Sequence, residues 1–487
     1  MSAFKKLFKQ TAIYGLATVM PRMLSFLLVR IHTDSDVLQS VADYGVVSKI
    51  YAWFVIFNVI LAYGMETAFF RFYHKEKNKE NIVSTSTTSL LFSSVVFLIL
   101  GLLFKEQIAY LTNLKVEYIT LVVWILMLDA LVIIPFAWLR AMEKPMRYAV
   151  IKILNVVVNL GLNIFFLLFL EGMAAKSSFW NSIYIPNFEI NYIFIANLIA
   201  STSTLALMLP FYVKVQYQFD KVLWKKMLKY AFPVLIAGIA FSINEAFDRL
   251  LLDFILPKDI SETAIGMYSA CYKLGLFMML FATAYRLGIE PYFFSHASSD
   301  NPQKNYAKIL EFFVIFGSVI LLVVVVFADV LKVIFIGDEV YWEAMSIVPI
   351  ILMANFCLGI YHNLSVWYKI TDRTKFGAYI SVAGAIITLI LNFALIPIIS
   401  YKGSAIATLA AYGSMMLLSF YFGRKYYPIP YNLKKIGLYM LVSVLLSVLI
   451  FYVFNRNLYI GTMFVLLFLL MILLLEKNEL KKILKRT

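Results

Sequence analysis

Residues 118–170 read YITLVVWILMLDALVIIPFAWLRAMEKPMRYAVIKILNVVVNLGLNIFFLLFL. Two apolar runs, 118–140 and 148–170, each exceed the roughly 20 residues that a helix needs to cross about 30 Å of hydrocarbon. Between them lies a short turn carrying Arg140, Lys144 and Arg147. An apolar stretch, a basic turn and a second apolar stretch make a helical hairpin that enters and leaves a membrane, with its turn on the cytoplasmic side.

The same pattern extends in both directions. Hydrophobic residues make up 62% of the 487 and charged residues 15%, against about 25% charged in soluble domains. A soluble chain of this composition could not cover its own surface. Membrane spans are expected at 11–32, 44–71, 82–104, 118–140, 148–170, 191–213, 228–256, 264–290, 309–328, 343–368, 376–398, 403–423, 436–454 and 458–475. The fold class is therefore an all-α integral membrane protein of about fourteen transmembrane helices. The abundant Phe (42) and Tyr (31) suit aromatic belts at both interfaces.

The loops fix the orientation. Lys and Arg gather in alternate connections: Lys5, Lys6 and Lys9 before span 1, Lys75, Lys77 and Lys79 after span 2, Lys221, Lys225 and Lys226 before span 7. The intervening connections carry few, for example Lys105 and Lys115 after span 3. This alternation puts both termini in the cytoplasm and the chain in the cytoplasmic (inner) membrane. It also accounts for the net charge of +15. Nucleic-acid binding would require a basic soluble domain, and the spans leave none. The opening apolar stretch is too long for a cleaved signal, is broken by Pro21 and Arg22, and lacks a small-residue cleavage site.

A repeat is visible. KKLFKQTAIYGLA from Lys5 is echoed by KKMLKYAFPVLIAGIA from Lys225, roughly 220 residues on. One helix later Gly45, Ser48 and Tyr51 match Gly266, Ser269 and Tyr272 at nearly the same offset. An even number of spans separates the copies, so they are parallel repeats related by an axis along the membrane normal. The expected division is 1–213 for spans 1–6, 214–423 for spans 7–12, and 424–487 for two additional spans and a basic tail.

Ionisable residues near the bilayer centre cost roughly 2.5–3.5 kcal/mol each and mark places with a partner or a cavity. Arg22 follows Pro21, which kinks a helix, and Arg30 lies two turns on. Lys273 is central in span 8. Neither Arg22 nor Lys273 has an acidic residue three or four positions away, so the two cations point to an anionic ligand. Asn155, Asn159 and Asn163 form a stripe on one face of span 5, read equally as cavity lining or as helix–helix glue. Glu245–Arg249 and Arg286–Glu290 are pairs at i,i+4. Lys49, Glu66, Asp129, Lys152, Asp248 and His362 are the other intramembrane ionisable groups of note.

Several chemistries are excluded. There is no phosphate-binding GxxxxGK[ST] loop, no metal-ligand spacing, and no cofactor motif. Cys271 and Cys357 both lie in apolar segments and form no disulfide framework. The longest outer connection, 171–190, is too short for a catalytic domain. A transporter is expected, not an enzyme.

The segments PRMLSFLLVRIHT (Pro21–Thr33), YGMETAFFRFY (Tyr63–Tyr73), LRAMEKPMRYA (Leu139–Ala149), DRLLLDFILP (Asp248–Pro257) and IGMYSACYKLG (Ile265–Gly275) resemble the polysaccharide-transport branch, the Wzx-type oligosaccharide flippases, of the multidrug/oligosaccharidyl-lipid/polysaccharide (MOP) flippase superfamily. That resemblance implies a MATE-like fold, with two six-helix lobes around a central cavity plus two C-terminal helices. It implies alternating access that moves a polyprenyl-pyrophosphate-linked oligosaccharide from the inner to the outer leaflet for surface polysaccharide biosynthesis. By the same resemblance Arg22 and Lys273 would hold the pyrophosphate, with Arg30 and Arg249 nearer the exit. The asparagine stripe would meet sugar hydroxyls, and the tail would stay among membrane lipid. Asp129, Glu66 and His362 are candidates for coupling to Na+ or H+, and other polysaccharide-assembly proteins are expected partners. A lipid II flippase and a MATE-type cation-coupled multidrug antiporter remain alternatives; the second would favour an acidic cavity.

Overall fold

The computed structural model describes Gly15, residues 19–21, 23–24 and 26–295, and residues 301–484. Thirteen helices among these residues are long and apolar enough to cross a membrane. Each coincides with one of the expected spans 2–14. The expected span 1 lies largely outside the described residues; its described end, 26–32, is helical.

The helices overrun their apolar windows. Span 2 occupies Val41–Lys75, span 7 Lys221–Ile255 and span 8 Lys258–Ile289. The added turns are amphipathic. At the start of span 7, Leu223 and Met227 are buried while Lys221, Lys225 and Lys226 are exposed. The Asp220 side chain accepts from the amides of Val222 and Leu223, both at 2.9 Å, and so caps the helix. Those two amides, the Leu223 bond foremost, and the Asn81 side chain hold the Asp220 carboxyl below the usual carboxylate range.

Three spans are interrupted. Span 2 breaks into Val41–Ala62 and Met65–Lys75, with Tyr63 and Gly64 both left-handed, at φ 32° and 71°. Glycine is required at 64 for φ and also for space. A Cβ there would stand 2.4 Å from the Ala231 carbonyl oxygen of span 7. Span 4 divides into Val116–Leu131 and Ile133–Ala141. Pro135 lacks the amide that would bond the Leu131 carbonyl, and the Tyr212 hydroxyl of span 6 donates to that carbonyl instead, at 2.5 Å. Span 5, Pro145–Ala174, contains a π-helical turn at Phe165–Phe169.

The chain forms two compact units. One comprises residues 1–269 and 392–400, the other 270–391 and 401–487. In the first, Met65, Phe69, Ile134, Phe211 and Met227 build a core at the basic-loop end of spans 2, 4, 6 and 7, and Ala52, Ile56, Ala246 and Leu250 continue the contact of spans 2 and 7 toward the opposite end. Nearest that end, spans 2 and 8 cross backbone to backbone. A Cβ on Gly45 would lie 1.9 Å from the Glu262 carbonyl oxygen, and one on Gly266 2.2 Å from that of Val41. The contact is reciprocal: Val41 and Glu262 stand at the same offset as Gly45 and Gly266, the pair already matched as repeat equivalents.

In the second unit, spans 9 (Pro302–Val326) and 10 (Glu339–Ile370) interlock by glycine and phenylalanine. The Phe356 ring fills the space over Gly317, and the Phe313 ring that over Gly359, each 2.3 Å from where a Cβ would sit. Spans 13 (Leu433–Val453) and 14 (Leu458–Lys477) are tied to span 9 by charge. Lys435 Nζ lies 3.2 Å from Glu311 Oε2 and 2.9 Å from Glu476, and the Tyr439 hydroxyl donates to Glu476 at 2.7 Å.

Candidate functional site

Most of the charged and amide side chains singled out in the first unit are partnered among the described residues, in centres stacked along the bundle. At its middle, Asp129 Oδ1 accepts from the Ser201 hydroxyl at 2.8 Å. Lys152 is an electrostatic neighbour of Asp129 and lies over the Phe136 ring at 4.4 Å. One turn along span 5, Asn155 donates to Thr204 at 2.9 Å. Asn163 is fully buried. Its Oδ1 is 3.0 Å from His32 Nε2, and its amide donates to the Asn159 carbonyl at 2.8 Å and to Asn159 Oδ1 at 3.0 Å. Every asparagine of the stripe therefore takes part in hydrogen bonding within the bundle, two of them joining span 5 to other helices. This is the helix–helix use of such residues.

At the basic-loop end Glu66 pairs with Arg140, whose guanidinium also lies 4.6 Å from the centre of the Phe70 ring. Arg71 stacks on Tyr230 at 4.2 Å and Lys144 on Trp138 at 5.1 Å. Cations held over aromatic faces near an interface keep their stems in apolar surroundings and their charge within reach of water.

Toward the opposite end, Arg249 Nη1 donates to Asp248 Oδ1 at 2.9 Å and to the Glu245 carbonyl at 3.4 Å. Asp248 Oδ2 accepts from the Tyr268 hydroxyl at 2.6 Å. Arg249 thus pairs with its neighbour Asp248, and of Glu245, the i,i+4 partner that spacing suggested, it meets the backbone carbonyl. Arg30 is exposed on the last turn of span 1. Arg22 lies outside the described residues, as does the Glu290 side chain.

In the second unit Lys273 is partly buried on span 8. His362, on span 10, is partly buried and faces the positive charges of Arg286 and Lys369. Nearby on the same helix the Asn355 amide donates to the Gly275 carbonyl at 3.1 Å. Among the described residues no three His, Cys, Asp or Glu side chains converge as metal ligands.

One centre gathers around a lysine noted in the sequence, with partners that were not. Lys49, with 1% of its surface exposed, places Nζ 3.3 Å from Asp253 Oδ1, 3.1 Å from Glu262 Oε1 and 3.3 Å from the Asn113 carbonyl. These groups lie at the far ends of spans 2, 7, 8 and 4, separated by up to half the chain. The one signal that could have found them is the repeat offset, which sets Glu262 against Val41.

Residues 7–295 match the family model described as polysaccharide biosynthesis protein. No curated protein matches the sequence significantly. Among solved structures, the chain is similar to a lipid II flippase, MurJ, in an inward closed conformation, at TM-score 0.72 and 16% identity over 96% of this chain and 100% of that one. It is similar to an inward-facing multidrug resistance MATE family transporter of the MOP superfamily at TM-score 0.63 and 12% identity, over 84% and 94%. A MOP superfamily transporter from Pyrococcus furiosus, described by the reversed polarity of its binding pocket, aligns at TM-score 0.60 and 12% identity, over 87% and 98%.

Proposed function

The chain belongs to the polysaccharide biosynthesis protein family and is a multi-pass membrane protein with the MOP-superfamily fold, and from that premise we propose that it flips a polyprenyl-pyrophosphate-linked oligosaccharide from the inner to the outer leaflet. The family match carries this reading. The cations expected in the membrane support it: Arg22, Arg30, Arg249 and Lys273 suit a pyrophosphate, and a pump for cationic drugs would gain nothing from them. The two lobes are residues 1–213 and 214–423, with 424–487 appended, the termini are cytoplasmic and the membrane is the inner one. The cargo crosses by alternating access between the lobes.

No nucleotide-binding loop supplies energy, so turnover draws on the membrane potential or an ion gradient. Asp129 is the best placed of the three coupling candidates, because it sits mid-span with a hydroxyl partner and a lysine close by. Glu66 is engaged with Arg140, and His362 faces cations. The asparagine stripe offers sugars only what its helix–helix bonds leave open.

The second reading is a lipid II flippase, favoured by the similarity to MurJ over nearly the whole chain. It shares the anionic pyrophosphate and differs in the headgroup. A deletion strain separates the readings. Loss of surface glycan with a completed lipid-linked repeat unit retained on the inner leaflet supports the proposal. Retention of the cell-wall precursor instead selects lipid II. Normal glycan together with new sensitivity to cationic drugs refutes both in favour of an antiporter.

A further inference from the structure

The crossing of spans 2 and 8 leaves no room between the two backbones. Gly45 meets the Glu262 carbonyl, and Gly266 meets that of Val41. One turn deeper on span 2, Lys49 is enclosed. Its ammonium has three oxygen partners from three separate segments: Asp253 of span 7, Glu262 near the start of span 8, and the Asn113 carbonyl just before span 4. Asp253 is itself held from its own side by the Ser261 hydroxyl at 3.3 Å and by Lys258, whose Nζ is 3.5 Å from Oδ2. A lysine of the first repeat is thus bound by carboxylates of the second, behind a seal made of repeat-equivalent glycines.

We infer that Lys49, Asp253 and Glu262, set behind the Gly45–Gly266 contact, are the latch that closes the transporter on the side opposite its basic loops and must part for cargo to leave. The physical case rests on what a buried ion pair does well. As permanent glue it is poor, because desolvation offsets most of its attraction and an apolar contact of equal size serves as well or better. As a contact that opens it is suited, because separated charges are rehydrated on parting, whereas an exposed apolar face is not. The glycine contact adds a steric condition: it is either fully made or absent, so the element has two states. The inference rests on the alternating-access reading and names the contact that such a cycle breaks.

The test is independent of cargo. Ser48 and Ser269, both buried beside the crossing, are replaced one at a time by cysteine in the full-length chain. Labelling by a membrane-impermeant maleimide is followed in right-side-out and in inverted vesicles, with the parent carrying Cys271 and Cys357 as the background. Labelling from one side should be slow with the latch intact and at least about fivefold faster with Lys49→Met or with Glu262→Gln. Unchanged rates in both variants, each present in the membrane at normal level, would overturn the latch. Should Lys49→Met fail to accumulate, Glu262→Gln decides alone, because it leaves Lys49 with Asp253. A latch confirmed by labelling in a protein whose deletion leaves every lipid-linked glycan unchanged would stand while the cargo assignment falls.

Discussion

Replacing Tyr212 by Phe removes one oxygen and no volume, and it removes the donor that satisfies the Leu131 carbonyl. In water that carbonyl would find another partner. In the middle of a bundle it does not, because Pro135 has no amide to offer and lipid has none either. Leaving a buried polar group unsatisfied costs about 1–3 kcal/mol, while interhelical hydrogen bonds in membranes average about 0.6 and reach about 1.7 kcal/mol. The overlap gives an expected loss of about 1–1.5 kcal/mol. For a chain of this size that is a fall of a few degrees in Tm, readable by thermal unfolding in detergent. The decisive measurement is a double-mutant cycle with Pro135→Ala, which restores the amide that bonds residue 131. In that background Tyr212→Phe should cost almost nothing, giving a coupling energy of about 1 kcal/mol. If Tyr212→Phe costs the same with proline and with alanine at 135, the hydroxyl is not the replacement donor and the account of the span 4 break is wrong. Because Asp129 lies just before that break, the same cycle run on transport activity reports whether the break sets the position of its carboxylate.

Three further outcomes are expected. Gly45→Ala and Gly266→Ala should each destabilise by about 1–3 kcal/mol through overpacking, and the double variant by clearly less than the sum, since one displacement of the crossing helices relieves both clashes; strict additivity in thermal unfolding would show that the two contacts are separate. The depressed carboxyl of Asp220 contributes stability that is present above the ordinary carboxylate pKa and is lost as pH falls through its lower folded value. Hydrogen exchange at Val222 and Leu223, corrected for intrinsic rates, should therefore lose protection only in strongly acidic buffer, and Asp220→Asn, which still caps, should remove that pH dependence. Arg22→Ala should insert normally yet fail to complement a deletion strain; full complementation would remove Arg22 from the headgroup role.

The positions of the spans were legible because the constraint behind them is one-dimensional. Crossing hydrocarbon demands a fixed length of apolar residues whatever the neighbours are. The reading stopped short at helix ends such as Lys221–Leu228, where half the turn is charged and a hydropathy window falls, although the other half packs on the core. The break at Tyr63–Gly64 carried a signal in its glycine, but a lone glycine in an apolar run does not show whether the chain bends there or a neighbour approaches; here both occur. That the asparagines share one face of span 5 was legible from their spacing. Which partner that face met was not, since His32 and Thr204 come from other helices.

What the sequence by itself determined is the class of the protein: an all-helical chain that crosses a membrane many times and, through the quoted segments, its family resemblance. The first follows from the order of apolar residues along the chain, the second from the segments themselves. What only the tertiary structure decided is which charges meet. Lys49 stands out in the sequence as an intramembrane charge, but Asp253 and Glu262 do not, since each is a charge near the end of a span, and the same is true of Lys435, Glu311 and Glu476. Pairing in a low-dielectric interior depends on distances of about 3 Å between groups far apart in the chain, and such distances arise only when the helices pack. The glycines at 45 and 266 stand between the two cases. Their common offset was readable in the sequence, but that each faces the backbone beside the other was settled by the crossing itself.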